Sequence, residues 1–321
     1  MATSEQITAL LKSFRDGDNA RFYATAMQMA AHSARAGHVH LAKEIRDLVD
    51  ASKLNDTHRA KSDDVTAPEL AGLLSVCNSQ LRIGDMVLDS VVREKLVRVV
   101  LEHRQQHRFE EFGLRPRKKL LLVGPSGTGK TMTASVLAGE LGLPLYTILL
   151  DGLITKFLGE TAAKLRLVFD AISKHRGVYF FDEFDALGAH RATHNDVGEI
   201  RRVLNSFLQF IEQVQSESLV LAATNHIELL DQALFRRFDD VVEYSVPKDD
   251  LILETFKNRL SLFDHHRIDW MKIVEAAHGL SYADLVKSAE EAAKDSILHD
   301  EPTLTTEGMV RAVLERKVMR N

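Results

Sequence analysis

The sequence predicts an α/β fold with a three-layer parallel sheet, an α-helical C-terminal domain after it and a small helical bundle before it. Three observations predict this. Short apolar runs alternate with helix-period segments between residues 81 and 246, the pattern of a parallel sheet covered on both faces. One run, Leu120-Leu121-Leu122-Val123, leads straight into a glycine-rich loop and then a helix. After Pro247 the periodicity is helical to the end.

The bulk numbers agree. A chain of 321 residues allows two or three domains and a full hydrophobic core. Its 45% apolar and 27% charged residues are ordinary for a globular protein. A net charge of −5 gives no overall attraction to nucleic acid. Cys77 stands alone, which excludes an intramolecular disulfide; an inert packed thiol is expected. Met1 to Phe14 has no basic and apolar leader pattern, and no apolar run approaches membrane-spanning length. A soluble cytoplasmic protein without membrane insertion is expected.

Taken in order, residues 1–52 read as three short helices. Ile7, Leu10, Leu11 and Phe14 form one stripe, with Thr3 and Gln6 placed for a capping box. Phe22, Tyr23, Ala26, Met27 and Ala30 form the second, and Leu41, Ile45, Leu48 and Val49 the third. Such a bundle is marginal alone; it serves either to recruit a partner or to cap the next domain. His32, His38 and His40 flank the Gly37 break and read as solvated loop residues. Residues 53–80 read as a polar linker with a short helix from Pro68 to Leu81. Residues 81–246 form the α/β domain. A helix carrying Val91, Leu96, Val99 and Leu101 precedes the Arg115–Lys119 basic turn. Strands are expected at Leu120–Val123, Pro144–Leu149, Gly177–Glu183, Leu219–Asn225 and Val241–Tyr244, and helices at Thr161–Ser173 and Glu199–Val214. Residues 247–321 supply helices at Leu251–Phe263, Trp270–Ala277, Ser281–Leu298 and Thr305–Val318.

The chemistry starts at Gly124-Pro125-Ser126-Gly127-Thr128-Gly129-Lys130-Thr131, which fits G-x-x-x-x-G-K-[ST]. Glycines let backbone N–H groups turn toward an anion, and the helix opening at Lys130-Thr131-Met132 adds partial positive charge. Lys130 reaches the outer phosphates of a nucleotide in this pattern, and the Thr131 hydroxyl holds Mg²⁺. The strand ending in Asp182 and Glu183 brings carboxylates to the carboxyl edge of the sheet, where ligands of such sheets bind. Asp182 suits Mg²⁺, Glu183 suits a general base toward water, and Asn225 ends the neighbouring strand where it can orient that water. ATP and Mg²⁺ are the expected cofactors.

These motifs, with Ala223-Thr224-Asn225 and the run Leu230 to Asp239, together resemble the AAA ATPases of the AAA+ superfamily, from about Ile83 to Lys317. The resemblance implies a P-loop core, a helical lid and a homo-oligomeric ring, usually a hexamer, with ATP at subunit interfaces. It implies a sensor role for Asn225. It also implies that Arg236 or Arg237, adjacent here where the family has Pro-Gly between them, reaches the neighbouring subunit's γ-phosphate; Arg236 is favoured. Lys156-Phe157-Leu158 resembles the segment that grips a polypeptide in the ring's channel, and residues 191–196 fall where a second such loop would lie. Tyr282 and Ala283 match the lid's adenine contact, with Tyr282 in place of the usual Gly, and Met86 and Val87 fit the other wall. The function implied is ATP-driven remodelling of a protein client. A regulatory ATPase acting on a partner protease or nuclease is the alternative, and a nucleic-acid motor is disfavoured by the charge.

Overall fold

The computed structural model describes residues 25–27, 29–30, 70, 72–153, 158–184, 197–227, 232–264, 268–298 and 304–320. Two compact units are present, Met1–Thr66 and Ala67–Asn321. In the first, residues 25–27 and 29–30 are helical, and Ala26 and Ala30 are buried as the second stripe expects. The rest of the bundle, its histidines and the 53–66 linker lie outside the described residues.

The second unit starts with β1 (Leu74–Cys77) and a 3₁₀ turn (Ile83–Asp85). There follow α1 (Ser90–Arg104), α2 (Gln106–Glu111), β2 (Lys119–Val123), α3 (Lys130–Leu141), β3 (Leu145–Ile148), α4 (Leu150–Leu153) and α5 (Leu158–Lys174). Next come β4 (Val178–Phe181), α6 (Val197–Gln213), β5 (Leu219–Thr224), α7 (Gln232–Phe235) and β6 (Asp240–Glu243). Four helices close the chain: α8 (Asp249–Arg259), α9 (Trp270–Ala277), α10 (Tyr282–Leu298) and α11 (Thr306–Arg320).

The sheet order is β1-β3-β4-β5-β2-β6, parallel except where β1 runs antiparallel to β3. The period of two in each strand sorts side chains to opposite faces. Leu120, Leu122, Val178, Phe180, Leu221 and Ala223 join Leu96, Val99, Ala134 and Leu137 of α1 and α3 in one buried cluster. Phe181 instead meets Phe169 of α5 and Phe207 of α6, with ring centroids 5.9 and 5.1 Å away. Helices thus cover both faces, as a sheet of continuous apolar strands requires. Each fully buried Leu or Phe contributes about 1.5–3 kcal/mol. The lid has its own core, built on Ile252, Phe256, Leu260, Ile273, Leu285, Ala289, Met309 and Val313.

Two expectations are corrected here. The helix expected between Pro68 and Leu81 is instead a strand over Leu74–Cys77, because β3 has an open edge whose backbone groups need partners. That pairing outweighs the weak local preference of so short a segment. Cys77 on this strand is exposed rather than packed. On α1 the buried stripe is Val92, Leu96, Val99 and Val100, whereas Val91 and Leu101 are 60% and 47% exposed. The Arg115–Lys119 turn separates α2 from β2 as expected, with Arg117 paired to Asp240 at 2.8 Å and Lys118 to Glu217 at 2.8 Å.

His103 of α1 is buried beside that turn. Its Nε2–H donates to the Arg117 carbonyl at 2.7 Å, while Nδ1 has no hydrogen-bond partner among the described residues. Burial, followed by the positive charges of Lys118 and Arg176, lowers its pKa against the opposing pull of the Arg117 carbonyl and Glu102. The unfolded chain therefore takes up a proton here before the folded one does. Stability should be complete above about pH 6.5 and fall as pH drops through the window below it, by up to about 1.4 kcal/mol per unit. Urea midpoints measured at several pH values check this: His103→Gln should flatten the acid slope, and an unchanged slope would assign it elsewhere.

Candidate active site

The loop after β2 is shaped by its glycines. Gly124 has φ +150°, and a Cβ there would lie 2.3 Å from the Tyr244 carbonyl oxygen. Gly127 has φ +77°, and its Cβ would lie 2.5 Å from Ser281 Oγ. Neither position admits a larger residue without displacing backbone or lid. Thr128 Oγ1 donates to the Pro125 carbonyl at 2.8 Å, tightening the loop. Beneath it, Thr133 Oγ1 donates to the Gly129 carbonyl at 3.0 Å and shares a hydrogen bond of 2.7 Å with the Tyr244 hydroxyl. Burial raises the pKa of that phenol well above its usual value, so it stays a neutral hydroxyl that supports the loop from below.

Lys130 opens α3 and is buried. Its ammonium donates to the Gly124 and Pro125 carbonyls at 2.7 and 2.8 Å and to Asn225 Oδ1 at 2.7 Å. The loop lysine and the residue after β5 are thereby joined, as neighbouring parallel strands β2 and β5 permit. Thr131 Oγ1 donates to Asp182 Oδ2 at 2.8 Å, and Asp182 Oδ1 accepts the Glu183 N–H at 2.9 Å. A hydroxyl and a carboxylate in contact are the hard oxygen donors that Mg²⁺ takes when most of its other ligands are water and phosphate. The residues present fit that ion.

Glu183 is exposed and has φ 49°, the one left-handed non-glycine backbone among the described residues. Such a backbone costs on the order of 1–2 kcal/mol and must be held by its surroundings. Phe184 holds it. The Phe184 N–H donates to the Ala223 carbonyl at 2.8 Å, and its fully buried ring packs at a tilt against Phe207, with centroids 4.5 Å apart. A carboxylate is thus fixed at the carboxyl end of the sheet by a strained turn, one residue beyond the candidate metal ligand.

The lid approaches the loop at Gly127, whose carbonyl accepts the Ala283 N–H at 3.1 Å. Met86 is buried with its methyl 3.2 Å from the position of a Gly129 Cβ, and Val87 follows half-buried. Met86, Gly127, Gly129 and Ala283 are therefore brought together. Tyr282 is half-buried; burial first, then Asp89, Asp250 and Glu254, push its phenol up to about 12. Met132 is partly exposed on the first turn of α3. Arg236 and Arg237 follow α7. Arg237 forms an ion pair with Glu212 of α6, and Arg236 is exposed. Lys156 and Phe157 lie outside the described residues, and Leu158 is the first residue of α5. Sequence reasoning missed Thr133, Phe184 and Tyr244; only their burial in the fold reveals that they support the loop and the turn.

Residues 120–246 match the family model for the ATPase family associated with various cellular activities (AAA). The chain is 35% identical over 306 residues to an uncharacterized AAA family ATPase, y4kL, of Sinorhizobium fredii, covering 93% of this chain and 90% of that one. It is 32% identical to a proteasome-activating nucleotidase of Aeropyrum pernix, over 70% of this chain and 57% of that protein. It is 34% identical to an ATP-dependent zinc metalloprotease FtsH of Helicobacter felis, over 69% of this chain but 36% of that protein. Among solved structures, the AAA domain of FIGL-1 superposes with a TM-score of 0.60 at 26% identity, over 75% of this chain and 85% of that one. The phosphate loop, the paired carboxylates and these similarities have one reading: the chain belongs to the AAA family of ATPases, enzymes that hydrolyse ATP.

Proposed function

We propose that this ATPase works as a homo-oligomeric ring, a hexamer, that uses Mg²⁺-dependent ATP hydrolysis to remodel a protein client drawn into its central channel. The observation that supports the chemistry most directly is the Thr131–Asp182 contact of 2.8 Å with Lys130, Glu183 and Asn225 at the same edge of the sheet. Gly124–Met132 cradle the phosphates, and Met86, Val87, Tyr282 and Ala283 flank the base. Mg²⁺, held by Thr131 and Asp182, would supply charge neutralisation at the phosphates. Glu183 takes the proton of the attacking water, Asn225 orients that water, and Lys130 meets the charge that develops on the phosphoryl oxygens. Arg236 of a neighbouring copy completes the site, while Arg237 stays tied to Glu212.

Protein remodelling is favoured over a nucleic-acid motor by the acidic net charge and by the proteolysis-linked names of two relatives. Those names also favour a second reading, in which the ring regulates a partner effector such as a protease. The lid-bearing core at 81–246 and 247–321 would be the motor, gaining β1 from the 53–80 segment, and the 1–52 bundle would recruit the client or partner. No helix among the described residues is long and apolar enough to cross a membrane, and a cytoplasmic location is part of this proposal.

Phe157 tests the channel. Phe157→Ala should retain basal ATP turnover within about twofold and lose client-stimulated turnover and unfolding of a tagged fluorescent protein. Normal unfolding by that variant would remove the threading idea and leave the regulatory one.

A further inference from the structure

The turn at Ser281–Ala283, which meets the Gly127 carbonyl, is braced at Asp284. Ser281 Oγ donates to Asp284 Oδ2 at 2.7 Å, and the Ser281 N–H donates to the same oxygen at 3.3 Å. The other oxygen, Oδ1, accepts Arg316 Nε at 3.0 Å. Arg316 comes from α11, the last helix, thirty-two positions later in the chain. The Asp284 side chain is 14% exposed, so the pair lies largely out of water. Burial pulls its carboxyl upward, and Ser281 and Arg316 more than reverse that, leaving it ionised below the usual carboxylate range. A charge-assisted bond in such a place is stronger than one in solvent. The connected path runs from Arg316 to Asp284, to Ser281 and Ala283, and ends on the carbonyl of Gly127.

We propose that Arg316 is a positioning residue for nucleotide binding: through Asp284 it fixes the first turn of α10 against Gly127, so the last helix sets how tightly lid and phosphate loop close together. This rests on the reading of the loop as the nucleotide site. Without the clamp, the Ser281–Ala283 turn loses its hold on the Gly127 peptide, whose orientation is part of the anion cradle. Of the residues assigned to the chemical step, Glu183, Asn225 and Arg236 lie on other elements, and Lys130 is held by the Gly124 and Pro125 carbonyls and Asn225 rather than by Gly127. The loss should therefore fall on affinity and spare the chemistry.

A second ion pair gives the control. Arg311 of the same helix bonds Asp295 at 2.6 Å, near the end of α10 opposite to the turn that meets Gly127. ATP turnover and binding of a fluorescent ADP analogue are measured on the full chain. Arg316→Ala should raise KM and Kd by about three- to tenfold with kcat within about twofold, and Asp284→Asn should do the same. Arg316→Lys should recover part of the loss, and Arg311→Ala should leave KM unchanged. An unaltered KM in Arg316→Ala, or an equal rise in Arg311→Ala, overturns the proposal. Should Arg316→Ala fail to fold, Arg316→Lys and Arg316→Gln carry the same comparison: KM should rise more in Gln than in Lys, and equal values contradict it. If the unmodified chain binds no analogue, the nucleotide-site reading itself fails.

Discussion

Replacement of Glu183 by Gln should lower ATP turnover by roughly a hundredfold or more while leaving nucleotide binding intact. Gln keeps the size of the side chain and removes the carboxylate proposed to accept the water's proton. It also keeps the left-handed turn, because that backbone is held by the Phe184 N–H on the Ala223 carbonyl and by the buried Phe184 ring, not by the Glu183 side chain. Asp182 still accepts from Thr131, so the two side chains proposed to hold Mg²⁺ are untouched. The variant should accumulate bound ATP, read by rapid filtration with labelled nucleotide, and should enlarge the assembly seen by light scattering. Turnover within a few-fold of the unmodified chain would move the base to another group.

Arg236→Ala should be as severe or worse, because an arginine that meets the transferring phosphoryl group contributes about 10³–10⁵ in rate. Arg237→Ala should behave differently. Its guanidinium is committed to Glu212 of α6 within the same chain, a half-exposed pair worth about 1 kcal/mol or less. Its removal should lower the melting temperature slightly and reduce turnover modestly. Steady-state turnover and melting curves of the two variants distinguish the roles. Equal loss of turnover in both would mean that the Glu212 pair opens on assembly and that both arginines serve the neighbour.

How far the sequence could be read depended on the range of the interactions involved. β2, β4 and β5 were legible because runs such as Leu120–Val123 and Leu219–Ala223 are apolar without interruption, which only a strand buried on both faces needs. The loop was legible because its glycines and Lys130 answer to a single local demand, a tight turn around an anion. β1 was not, since four residues at a sheet edge bury little and owe their form to the open side of β3. The helix α1 was legible from Val91, Leu96, Val99 and Leu101, but its buried face was not, because Val91 and Leu101 are as apolar as their buried neighbours Val92 and Val100. The left-handed Glu183 was hidden for another reason: nothing in Asp182-Glu183-Phe184 announces that Phe184 must reach back to the core. Arg237 with Glu212 and Arg316 with Asp284 join residues distant in the chain, and periodicity carries no information about such pairs.

The central claim is that each ATP is held by one copy and split with help from its neighbour. Mixing tests it most directly. Glu183→Gln and Arg236→Ala chains, each nearly inactive alone, are combined in equal amounts and ATP turnover is measured. An Arg236→Ala chain supplies Glu183, and a Glu183→Gln neighbour supplies Arg236, so random assembly should restore about a quarter of full activity. A mixture no more active than its separate components would contradict a shared site and leave each chain hydrolysing ATP on its own.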